Sequence, residues 1–219
     1  MKDIPAIKGR YYITRLVEEG EHEHQDFKFL ISDARKIARS ISAFANNDGG
    51  HLLIGVKDNG VIAGVRNEED IYMIETAASS FCRPEVTVEF KAFKVDPGVM
   101  VVKAEIPKSE RRPVRVVEQG GELKAYFRVK DENIVAHPLM LRAWEYERDE
   151  NRSAITLTQS HNDILNLIAG EGSVEIDSIW RNLHISAESA ADTVARMVAS
   201  RLLVLNYSDG KLVISLNED

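Results

Sequence analysis

The spacing of apolar residues divides the chain into segments before any chemistry is considered. Ala34, Ile37, Ala38, Ile41, Phe44 and Ala45 recur at helical intervals, and Ser32 or Asp33 can cap the free amides. That pattern predicts a helix over residues 33–46. Asn46-Asn47-Asp48-Gly49-Gly50 then stops it with residues that tolerate left-handed geometry. Residues 51–56 form a short apolar run suited to a buried strand, and Asp58-Asn59-Gly60 turns it into residues 61–65. Further strands are expected at 11–16, 86–95, 100–106, 114–117 and 123–129, with helices at 68–81 and 138–144. Hairpins with interspersed helices and few βαβ units predict an α+β domain.

A polar, charged stretch from Glu145 to Ser153 has no apolar period and reads as a helix end running into a linker. The expected division is a first domain over 1–148, a linker over 149–157 and a second domain over 158–219. In the second, helices are expected at 159–169, 176–183 and 186–200, then strands at 202–207 and 211–216 around Ser208-Asp209-Gly210. Three helices and a two-stranded wing match a winged helix-turn-helix.

Charge changes the picture. The chain has 28 Lys+Arg against 35 Asp+Glu, a formal net of −7. A uniformly basic nucleic-acid coat is excluded, so any phosphate binding requires a local patch. The candidate cations are Lys28, Arg35, Lys36 and Arg39, then Arg111, Arg112 and Arg115, then Arg128 and Lys130. Tyr126 falls on the same strand face as Arg128 and Lys130, where it could stack on a base. The helix over 186–200 carries Glu188 and Asp192 before Arg196, a poor face for DNA, which points this module toward homodimer or partner contact.

Cys82 is the single cysteine, excluding a disulfide framework and a Cys-rich zinc module, and a buried thiol is the expectation. The start lacks the apolar core of a signal peptide, and no apolar run approaches the ~20 residues that span a membrane. A soluble, cytoplasmic protein is expected.

Three ordered motifs carry a family likeness: Glu21-His-Glu-His-Gln-Asp-Phe-Lys28, Ile41-Ser-Ala-Phe-Ala-Asn-Asn-Asp-Gly-Gly50 and Leu52-Leu-Ile-Gly-Val-Lys-Asp-Asn-Gly60. With Ile106-Pro-Lys-Ser, Arg112-Pro113, Tyr126-Phe-Arg-Val129 and Asn133, they resemble the Schlafen AlbA_2 domain over about residues 10–145. The resemblance implies an AlbA_2-like mixed sheet with helices. It also implies a non-enzymatic protein that binds DNA or RNA, a transcriptional regulator. Eukaryotic members include RNA-cleaving proteins with three carboxylates, which fall here on Glu21, Asp26 and Asp58 and would use magnesium or manganese. Asp26 stands where that family prefers Glu. Residues five apart on a straight strand face opposite ways, so Glu21 and Asp26 converge only across a bend. A third reading is an interaction module without nucleic acid.

Two local motifs stay open. Asn46, Asn47, Gly49 and Gly50 either cradle a phosphate or simply stop a helix and feed a close-packed strand. His22 and His24 either ligate a transition metal or are solvated. Gly50–Gly55 has the first spacing of a P-loop, but Val56 and Lys57 follow where Lys and a hydroxyl are needed, so ATP hydrolysis is rejected.

Overall fold

The computed structural model describes residues 4–148 and 155–218, so most of the expected linker, 149–154, lies outside the described residues. The chain forms two compact units, divided after Ala136. Both are built of helices and sheets, as the α+β expectation required.

The first unit centres on α2 (Ala34–Asn46), whose amides at Arg35 and Lys36 are capped by Asp33. Ten of its residues are buried, because it lies between two sheets. On one side is a mixed five-stranded sheet in the order β1 (Ala6–Lys8), β5 (Glu89–Asp96), β6 (Val99–Ile106), β3 (Gly50–Ile54), β2 (Gln25–Lys28). The β1–β5 and β2–β3 pairs are parallel and the rest antiparallel. Alternation sorts this sheet. Leu52, Ile54, Ala92, Val102, Ala104 and Ile106 join the core around α2. Phe27, Leu53, Phe93, Val95 and Val101 face the other way, onto Ile13 of α1 (Arg10–Glu19). On the other side of α2 lies a four-stranded sheet in the order β4 (Cys82–Arg83), β7 (Arg115–Val117), β8 (Leu123–Val129), β9 (Glu132–Val135).

Several expectations are corrected here. The strand expected at 11–16 is helix α1. Tyr-Tyr-Ile-Thr favours a strand by composition, but Ile13, Leu16 and Val17 sit three and four apart and pack together into the core. The helix expected over 68–81 is α3 (Glu69–Thr76) closed by one wider π turn over Ala77–Phe81. The strand expected from 86 begins at Glu89, and residues 61–65 make a single bridge, Val56 to Ile62. Cys82 is buried, and that burial pushes its thiol up to about 12, as for an inert packing residue.

The second unit contains α4 (Pro138–Glu147), α5 (Gln159–Glu171), β10 (Ser173–Val174), α6 (Ile176–Asn182), α7 (Ala187–Ala199), β11 (Leu203–Ser208) and β12 (Lys211–Leu216). The strands pair as β10-β12-β11, with Asp209 and Gly210 both left-handed in the tight turn. Ile164, Ile168, Val174, Ile179, Val194, Met197, Leu203 and Ile214 form its core. Helix α4, expected to close the first domain, packs along α7 and contributes Leu139 and Ala143 to that core. The division therefore falls before α4, whereas the polar stretch that suggested a boundary begins in its last turn.

Candidate nucleic-acid interface

An open cleft of about 470 Å³ forms where β2, α2 and the β8–β9 hairpin meet. Lys28, Lys36, Arg39 and Arg128 line it together with Asp26, Ser40, Asp131, Glu132 and Asn133.

Its floor is set by a tight turn. His22 and Gln25 exchange backbone hydrogen bonds of 3.0 and 3.2 Å, folding Glu21 back beside β2. This supplies the bend that Glu21 and Asp26 required. Glu21 Oε1 accepts the Phe27 N–H at 2.8 Å, and its carboxyl meets that of Asp26. Burial, reinforced by the hydrogen bond to Asp26, pushes Glu21 up to about 7. Burial alone would raise Asp26 as well. The Glu21 hydrogen bond and Lys28 Nζ at 2.8 Å, with Arg128 at 3.7 Å, overcome it and hold Asp26 below the usual carboxylate range.

The Glu21 shift has a pH consequence. An acid held at about 7 in the fold and 4.5 outside it binds its proton more tightly when folded. That contribution is complete below 4.5 and is lost as pH rises through about 7. Urea unfolding should show the protein losing stability relative to Glu21→Gln as pH rises across this window, whatever the opposing contribution of the half-buried His51, whose pKa is pushed down to about 4. An unchanged pH slope in the variant would contradict the proton-sharing pair.

The third carboxylate does not join them. Asp58 is exposed in the turn after β3, and among the described residues no three His, Cys, Asp or Glu side chains are grouped to hold a metal. A divalent cation would also have to displace Lys28 and Arg128 from Asp26. The residues present do not fit the magnesium or manganese site that the resemblance implied. His22 and His24 flank the turn with ring centroids 6.1 Å apart. His22 Nδ1 accepts the His24 N–H, and His24 Nδ1 bonds the Gly49 carbonyl at 2.9 Å, so both rings brace the turn.

The candidate cations divide sharply. Arg128 is 1% exposed. Its guanidinium donates to the carbonyls of His22 at 3.0 Å and Gln25 at 3.2 Å and to Asn133 Oδ1 at 2.9 Å, and it lies 4.9 Å from the Phe44 ring centroid. It braces the cleft from below and is not a surface phosphate ligand. Tyr126 is likewise buried, and its hydroxyl donates to Glu118 at 2.6 Å, so no base can stack on it. The face these two residues share does exist, but it meets α2 instead of solvent. Arg39 makes two bonds to the same Glu118, at 2.9 and 2.6 Å, and retains partial exposure at the cleft. Arg35 stacks on Phe81 at 4.8 Å, Arg112 donates to the Asn46 carbonyl at 3.0 Å, and Arg115 is half-buried on β7. Lys36, Arg111 and Lys130 are exposed, with Lys130 beyond the end of β8 in the hairpin turn.

Of the two accounts of the Asn-Gly loop, the hydrogen bonds favour the structural one. Asn46 Nδ2 donates to the carbonyls of Val114 and Tyr126, and its Oδ1 accepts the Val114 N–H. Asn47 likewise spans the N–H and carbonyl of Arg128. The two amides join α2 to the second sheet as extra strand partners. Gly49 is left-handed (φ 81), and a Cβ there would meet the Ile106 carbonyl at 2.9 Å. A Cβ on Gly50 would strike the Phe44 ring at 2.3 Å. The Asn47, Gly49 and His51 N–H groups already bond to backbone carbonyls, leaving none of these three for an anion. Sequence reasoning missed Glu118, the acceptor shared by Arg39 and Tyr126, because no local pattern marks a carboxylate in a hairpin as their partner.

A family model described as Schlafen, AlbA_2 matches residues 21–137, which ends at the division between the units. Among solved structures, the crystal structure of the DIP2311 protein from Corynebacterium diphtheriae is similar, with 17% identity and a TM-score of 0.42. That likeness covers 79% of this chain and 32% of the other, so this chain spans about a third of that protein's length. No curated protein matches the chain. Among the described residues no helix is long and apolar enough to cross a membrane.

Proposed function

Because the chain belongs to the Schlafen AlbA_2 family, we propose that its first unit is a non-enzymatic binder of DNA or RNA that grips the phosphate backbone at the cleft. The observation that carries this reading is the convergence of Lys28, Lys36 and Arg39, from β2 and α2, on one open cleft in a chain of net negative charge. The buried Arg128 stiffens the floor beneath them. Lys36 is the most available of the three, since Lys28 is paired with Asp26 and Arg39 with Glu118. Asp131 and Glu132 on the rim keep binding moderate and salt-sensitive.

We read the second unit as a winged helix-turn-helix that joins two copies of the chain, giving a dimeric transcriptional regulator. On α7, Glu188 pairs with Arg142 at 2.8 Å, and Asp192 accepts from Tyr146 and Arg196. These carboxylates occupy a helix that would need donors to read bases, which supports a joining role over base readout.

Fluorescence anisotropy with labelled single- and double-stranded oligonucleotides across a salt series tests the cleft. Lys36→Glu should weaken binding about tenfold or more at low salt and lower the log–log salt slope by roughly 0.7–0.9. Lys8→Glu, on exposed β1, should leave both unchanged. Equal effects from the two variants would show a non-specific response to net charge and remove the cleft from the reading.

A further inference from the structure

We infer that Lys57 and Arg66, held against the ring of Phe29, form a second phosphate-binding site for a polynucleotide strand, beside the cleft but outside its lining. The inference rests on the nucleic-acid reading above and extends it to two cations outside the candidate set that the sequence offered.

The geometry begins with two glycines. Gly55 and Gly64 are both left-handed, with φ of 97° and 83°. A Cβ on Gly55 would lie 2.7 Å from the Gly64 carbonyl carbon, so only glycine allows the two backbones to touch there. The Gly55 carbonyl accepts the N–H of both Ala63 and Gly64 at 2.9 Å, and the Gly55 N–H donates to the Lys28 carbonyl at 2.8 Å. The turn between is closed by Lys57 N–H on the Val61 carbonyl and Gly60 N–H on the Lys57 carbonyl. This clasp fixes the end of β2 and both arms of the turn in one place. Phe29 leaves β2 there, and Lys57 and Arg66 arrive from the two arms.

Lys57 Nζ lies 5.1 Å and the Arg66 guanidinium 4.6 Å from the Phe29 ring centroid. Both cations are exposed, and among the described residues neither has a carboxylate within ion-pair distance. They contrast with Lys28 and Arg39, whose charges are already engaged. A ring that holds two long cationic side chains in place lowers the ordering cost when an anion arrives. Held within about 10 Å of one another by the shared ring, the two charges suit neighbouring phosphates of one strand. Lys28, adjacent to Phe29 in the chain, leads from this site toward the cleft.

Anisotropy titrations of the full chain with labelled oligothymidylate and oligouridylate, across a salt series, test this. Lys57→Ala combined with Arg66→Ala should weaken binding about tenfold and lower the log–log salt slope by roughly 1.4, two phosphates' worth on a single strand. Phe29→Leu keeps both charges but removes their anchor, and should weaken binding while leaving most of the slope. Circular dichroism melts confirm that each variant is folded. If the unaltered protein binds and the double variant binds equally well with the same slope, this site is overturned and the cleft stands. If the unaltered protein binds neither probe at any salt, this single-strand site is overturned, and the cleft falls with it only if double-stranded probes are not bound either.

Discussion

Replacing Arg128 with methionine should lower the melting temperature of the first unit by roughly 10 °C or more, a loss of about 3–5 kcal/mol. The change leaves Asp26 with Lys28 as its remaining cation, takes one of two donors from the carbonyls of His22 and Gln25, and strands the Asn133 amide oxygen. Breaking a buried pair from one side costs far more than a surface pair, because the remaining charge stays out of water. Against a total stability of about 5–15 kcal/mol for a domain, such a loss is severe. Thermal melting followed by circular dichroism checks it. An exposed arginine used for phosphate binding would give the opposite pattern: stability within about 0.5 kcal/mol and a clear loss of affinity.

Asn46→Asp should destabilise the same unit by about 3 kcal/mol or more at neutral pH, despite an almost unchanged shape. The Nδ2 atom that donates to the Val114 carbonyl at 2.9 Å and the Tyr126 carbonyl at 2.8 Å becomes an oxygen facing two oxygens. The site is fully buried, so water does not relieve the repulsion. Protonating the new carboxyl restores one donor, so the penalty should shrink in acid. Urea titrations at neutral and acid pH measure both effects. Were Asn46 a phosphate ligand, the variant would keep its stability and lose only binding.

These two residues show where the sequence was readable and where it was not. The apolar period of α2, its Asp33 cap and the glycines that end it are local signals, and each describes the element that forms. The same holds for the Asp209-Gly210 turn and the helices of the second unit. Alternation along β8 correctly places Tyr126 and Arg128 on one face. It carries no information on whether that face meets solvent or a helix, and α2 lies between two sheets, so here it meets a helix. An arginine facing inward becomes a structural cation, and the scattered basic residues of the sequence shrink to a few available ones. Asn46 and Asn47 announce a helix stop, but their bonds to Val114 and to β8 bridge more than 60 positions of chain, a separation that no local pattern encodes. Strands β1, β2 and β9 are three or four residues long, too short to show a period. The Glu21–Asp26 meeting depends on the turn at His22–Gln25, and Asp58 was grouped with them by motif position alone.

Titrating an oligonucleotide into isotopically labelled protein and following backbone amide shifts tests the central claim most directly, because it reports where the strand lies without altering a residue. The account predicts that the largest shifts cluster at Lys28, Lys36, Arg39 and Ser40 and along the β8–β9 hairpin, and that they fade as salt is raised. Shifts confined to α7 and the β11–β12 hairpin, or none at low salt, would contradict it.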